Sequence, residues 1–124
     1  MKRIFTNGDL YCLTQNLIEN PIKEDTYIPI KLNFYIQKNI ETIISEYQRI
    51  EKHRIDIIKH YGIFDDKGQI TIPQDRIAEV NAELDALSEI KQEVDLHMLT
   101  LDDVQDLQLS TGELKSIMFM IEEK

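Results

Sequence analysis

From Ile30 to Tyr61 the residues Ile36, Ile40, Ile43, Tyr47, Ile50, Arg54, Ile57 and Tyr61 follow one another at steps of four and three. That spacing keeps them on one face of a helix, and Arg54 is the one charged member of the stripe. Ile44 and Ile58 widen it, while Gln37, Lys38, Glu41, Gln48, Arg49, Lys52, Asp56 and Lys59 fill other positions. A helix of about thirty residues, at ~1.5 Å rise, is a rod of roughly 45 Å. Such a rod is longer than a domain of this size is usually wide, so one end projects or a partner covers the stripe.

The rest of the chain reads as shorter elements around this rod. Ile4 and Phe5 form an apolar lead, and Thr6 followed by Asp9 forms a capping box for a helix burying Leu10, Leu13 and Leu17 that ends near Asn20-Pro21. Residues 20–29 read as a loop, extended over Tyr27–Ile30 because Pro29 disfavours helix in the residue before it. Gly62 suits a left-handed cap closing the long helix. Two apolar stretches around Asp65-Asp66-Lys67-Gly68 predict a small β-hairpin. After Pro73, the run Ile77, Val80, Leu84 and Leu87 predicts a second helix from about Gln74 to Glu93, antiparallel to the long one.

Val94–Met98 alternates as a half-buried strand, with Tyr27–Ile30 or the hairpin as its expected partner. Leu101–Leu107 predicts a single helical turn. Ser110 and Glu113 form a capping box for a last helix burying Leu114, Ile117, Met118 and Ile121, with Phe119 and Met120 on its flank. The expected architecture is a single mainly α domain over residues 1–124: a long antiparallel helical hairpin, N- and C-terminal helices, and a minor β element.

Composition sharpens this picture. The chain has 124 residues, 30% of them charged, with only four Gly and three Pro, as a folded helix-rich protein does. Its net charge of −9 is uneven: residues 1–64 carry nine basic and eight acidic side chains, residues 65–124 five and fifteen. An acidic surface of that kind opposes direct binding to nucleic acid. It serves solubility or docks on a basic groove of a partner. A lone cysteine, Cys12, fits a reducing compartment and reads as a small buried residue. No apolar run has the length of a membrane span or the form of a secretory signal, so the expected location is the cytoplasm of a cell.

Reaction chemistry is not legible. His53, Asp56, His60 and His97 lack the close ligand pairs of a zinc site, the serines lack a Gly-flanked nucleophile turn, and the glycines are isolated. Asp65-Asp66 and Asp102-Asp103 read as turn and capping residues. The expectation is a protein that is not an enzyme and holds neither cofactor nor metal. Arg54 stands out: it either snorkels to water, meets Glu79, Glu83 or Asp85 of the second helix, or marks where the stripe enters an interface. With Asp65, Asp66, Glu79, Glu83 and Glu89, it makes up the candidate interaction residues.

The segments FTNGDLYCL, IPIKLNFYIQKNIETI, EKHRIDIIKHYG, EVDLHML and LSTGELKSIMFMIEE resemble those of small uncharacterised proteins encoded by phages and prophages of Gram-positive bacteria. The matching motifs are caps, core positions and turns. The resemblance implies a phage-associated, non-enzymatic role in virion assembly or against a host system. Its partner would be a protein of phage or host origin, together with further copies of itself, acting in the host cytoplasm or in the virion.

Overall fold

Thr6 closes one element and opens the next. In the computed structural model, which describes residues 1–122, Lys2–Thr6 is a strand, β1, followed by helix α1 at Asn7–Glu19. The Thr6 hydroxyl accepts from the Asp9 N–H at 3.0 Å, and the Asp9 carboxylate accepts from the Thr6 N–H at 3.1 Å. The expected capping box is therefore present, but the apolar lead before it is more than a lead. It pairs antiparallel with β4, Lys91–Asp95, setting Arg3 opposite Val94 and Phe5 opposite Gln92.

This pairing corrects both the partner and the bounds expected for the second strand. The backbone decides the matter at both ends. Asn7 N–H donates to the Ile90 carbonyl at 2.9 Å, extending the ladder toward α1. At the other end the backbone of His97 is taken by a side chain: its N–H donates to Asn39 Oδ1 at 2.9 Å and its carbonyl accepts from Asn39 Nδ2 at 2.7 Å. Asn39 is buried on the long helix, so it ties the His97 backbone to that helix just after Leu96, whose N–H still donates to the Met1 carbonyl at 3.0 Å.

The long helix, α2, spans Ile30–Tyr61 as its periodicity predicts. Its cap, Gly62, is extended at φ −84°, not left-handed. A side chain there would press into Ile70, so close approach, and not dihedral freedom, explains the glycine. The hairpin follows, with β2 at Ile63–Phe64 and β3 at Ile70–Thr71. In its turn the Asp65 carboxylate accepts from the N–H groups of Lys67 and Gln69 at 2.9 and 2.8 Å, and Gly68 takes the left-handed position at φ 79°.

One 3₁₀ turn, Gln74–Arg76, leads into α3, Ile77–Glu89, which lies against α2. It ends sooner than its pattern predicts, because Ile90 turns extended and the chain continues as β4. Helix α4, Leu101–Val104, is the expected single turn, capped by Thr100 and Asp103. Helix α5, Thr111–Ile117, has the expected Ser110–Glu113 box. It then tightens into a 3₁₀ turn at Met118–Met120, which rotates the following side chains. Ile117, Phe119, Met120 and Ile121 are buried, while Leu114 and Met118, placed on the buried face by a continuous helix, are exposed.

The core lies at one end of α2. Leu10 and Leu17 of α1, Ile36 and Ile43 of α2, Leu96, Leu99, Ile117 and Met120 meet there. The buried Glu113 ties down the loop before α2 by accepting from the Lys23 N–H at 3.1 Å. That N–H, then the Ser110 backbone N–H, hold the Glu113 carboxyl below the ordinary carboxylate range.

Candidate functional site

The stripe on α2 leaves the core part-way along. Ile36 and Ile43 are fully buried and Ile50 nearly so, whereas Arg54 is exposed and Ile57 and Tyr61 are half-buried. Helix α1 runs alongside with the opposite sense, its Leu17 and Ile18 near Gln37 and Ile40. Its other end brings Tyr11 beside Tyr47, ring centroids 5.8 Å apart, and near Arg54. Asn7 there donates to the Leu87 carbonyl of α3 at 2.8 Å. With 13 residues against 32, at ~1.5 Å each, α1 reaches less than half of α2.

Beyond that point α2, the hairpin and α3 form a two-helix arm. Val80 is the one buried side chain of α3. The arm exposes apolar side chains that its two helices do not cover: Ile55 at 40%, Ile63 at 64%, Phe64 at 55% and Ile77 at 40%. Ile55 lies one position past Arg54, just off the stripe. Helical spacing puts Ile55 and Ile58 on the flank of α2 that Ile44 and Tyr47 occupy nearer the core. This flank therefore continues past the start of α1, with Ile55 exposed and Ile58 half-buried.

The polar candidates distribute around this arm without forming one cluster. Arg54 meets neither Glu79, Glu83 nor Asp85; it pairs with Glu51, one turn earlier, through Nη2 and through Nε at 3.0 Å. A partner within its own helix is nearer than any on α3, and the guanidinium head stays at the surface. The Arg54 hydrogen bond holds the Glu51 carboxyl below its ordinary value, against a smaller opposing effect of burial. Burial and then the Glu51 charge push the Tyr47 hydroxyl up.

Glu79 pairs with Arg76 at 3.3 Å, and the Arg76 guanidinium lies 4.7 Å from the Tyr61 ring centre. Burial, followed by the Glu83 and Glu79 carboxylates, raises the Tyr61 hydroxyl. Glu79 and Glu83 thus gather at Tyr61, whereas Glu89 sits at the far end of α3. Asp65 folds the turn, and Asp66 is exposed at its tip. The apolar contact candidates Ile55, Ile63 and Phe64 escape sequence reasoning because their exposure depends on how far α1 reaches.

A second place that gathers polar groups is a hollow of about 410 Å³ lined by Lys31, Tyr35, His97 and Asp103. Tyr35 and His97 stack at 3.5 Å there, Asn39 fixes the His97 backbone, and Asp103 caps α4. These groups are engaged in the fold. Among the described residues, no group of three or more His, Cys, Asp or Glu lies where it could share a metal ion, and no helix is long and apolar enough to cross a membrane. Cys12 is exposed, not buried: it points away from the face that carries Leu10, Thr14 and Leu17. No protein-family model matches the chain, no curated protein is similar to it, and no solved structure shares its fold at a significant level.

Proposed function

We propose that this is a non-enzymatic, phage-associated protein that works by protein–protein contact, as a structural or assembly component of the virion made in the host cytoplasm. The observation that carries the reading is the arm: an apolar flank of α2 and the first hairpin strand, Ile63 and Phe64, stand outside the core and are exposed among the described residues. Exposed apolar groups on a preformed helical pair supply contact area with less ordering to be done on binding than a disordered segment needs.

The test is a photo-crosslinking amino acid placed at Phe64 in the protein produced during phage growth. Cross-links to virion components are expected, and loss of particle yield in a Phe64→Asp variant accompanies them. Absence of cross-links from Phe64, Ile63 and Ile55 overturns the reading.

A second reading has its own observation, the exposed acidic side chains of α3, Glu79, Glu83 and Glu89, within a half-chain carrying fifteen acidic and five basic residues. In that reading the protein is a counter-defence inhibitor occupying the basic groove of a host nuclease or other defence protein. Cross-links from Glu83 to a host protein, with binding that collapses between ~0.1 and ~0.5 M salt, favour it over the apolar contact.

A further inference from the structure

We propose that the free edge of β1 is a docking site for an extended acidic segment of another protein, which joins the sheet as a third strand. The site lies on the core-bearing part of the molecule and is separate from the arm. In an antiparallel pair the backbone groups of alternate residues point at the partner strand, and those between point away. Leu96 N–H donates to the Met1 carbonyl at 3.0 Å and Asn7 N–H to the Ile90 carbonyl at 2.9 Å, so the odd-numbered residues of β1 face β4. The N–H and C=O of Lys2 and Ile4 therefore point outward, and among the described residues they have no partner. Thr6 ends the edge, because Asp9 already holds its N–H. Three residues of an antiparallel strand, opposite Lys2, Arg3 and Ile4, reach all four outward groups.

The side chains beside the edge set what that strand carries. A hollow of about 490 Å³ adjoins Lys2 and Arg3, walled by Met98, Met118, Phe119 and Ile121. Thioether side chains adapt to apolar partners of varied shape. Arg3 donates through Nη1 to the Phe119 carbonyl, and among the described residues no carboxylate pairs with its guanidinium. Against Glu122 at the rim, Lys2 and Arg3 leave this edge positive in a chain of net charge −9. The strand residue opposite Arg3 is therefore acidic, and the one two places along, opposite Met1, is apolar and enters the hollow. The same charge excludes a second copy. Self-pairing through all four outward groups sets Arg3 directly against Arg3 of the other copy, at the position where side chains approach most closely. Moving the axis to Ile4 puts Lys2 opposite Thr6, whose N–H is taken.

The probe is the synthetic peptide Thr-Leu-Thr-Glu-Thr-Leu-Thr, titrated into the full chain and followed by NMR. Amide shifts at Lys2 and Ile4 and methyl shifts at Met98 and Met118 are expected. A peptide with lysine in place of the glutamate binds about tenfold more weakly. N-methylating the two threonines beside the glutamate removes both donors to β1 and weakens binding by about tenfold, whereas N-methylating the glutamate, whose N–H points away, changes it by less than about twofold. The proposal is overturned by unmoved Lys2 and Ile4 amides at ~1 mM peptide, by equal binding of the glutamate and lysine peptides, or by equal effects of the two methylations. Shifts at Ile55 and Phe64 in place of Lys2 and Ile4 also overturn it, and assign the peptide to the arm.

Discussion

Replacing Ile by Ala at Ile36, Ile43, Ile50 and Ile57 repeats one chemical change every seven residues along one helix, so only the surroundings vary. Ile43 is fully buried. The change removes three carbons, costing about 2.4 kcal/mol at ~0.8 per methylene. The unfilled space adds roughly 1 kcal/mol, and the better helix propensity of Ala returns about 0.4. The net loss at Ile43 is about 3 kcal/mol, with Ile36 similar and Ile50 slightly less.

At Ile57, half-buried against α3, the same bookkeeping leaves about 1 kcal/mol, and Ile55→Ala costs at most ~0.5. Urea unfolding followed by circular dichroism, at one low protein concentration, reads these values. With a slope of roughly 1.5 kcal/mol per M, Ile43→Ala lowers the midpoint by about 2 M and Ile57→Ala by less than 1 M. An Ile57→Ala midpoint as low as that of Ile43→Ala would show that the arm is packed like the core and refute the division of the molecule drawn here.

Three further outcomes test single contacts. Asn39→Leu leaves the His97 N–H and carbonyl without the partners that now bind them at 2.9 and 2.7 Å, so a loss of about 3 kcal/mol is expected in thermal melting; a near-neutral result would mean that water replaces the amide. For Glu113→Gln the sign follows from a folded-state carboxyl held below its unfolded value: the wild type's advantage is full above about pH 4.3 and fades as pH falls through the carboxylate range. Melting temperatures of the pair should converge once the pH falls below the lowered folded-state value, and a gap that widens toward acid contradicts this. Gly62→Ala forces a methyl into Ile70, costing roughly 1–3 kcal/mol, and should shift the amide resonances of Ile63 and Phe64 while sparing the α1 signals.

Local rules carried far where the cause of the structure is local. The bounds of α2, the Thr6 and Ser110 boxes and the Asp65–Gly68 turn each depend on residues within a few positions of one another, and sequence shows them directly. The pairing of β1 with β4 joins residues about ninety positions apart, and nothing in Lys2–Thr6 specifies it. Gly62 illustrates a subtler miss: glycine after a helix has two physical explanations, and only the position of Ile70 selects close approach over a left-handed dihedral. The arm was half legible. A rod too long for its domain was visible in the periodicity, but where the core ends depends on the length of α1 beside it, and Arg54 finds its carboxylate within its own helix.

The arm's own stability closes the argument. An isolated helical segment shorter than about 12–15 residues is marginal in water, so residues 50–61 remain helical because α3 and the hairpin pack on them. That packing is thin, with Val80 the one buried side chain of α3, so opening the arm costs far less than unfolding the core around Ile43. Amide hydrogen exchange should then show two classes on the single helix α2: slow near Ile36 and Ile43, faster near Arg54 and Ile57. Uniform protection along α2 would refute the thin-arm account.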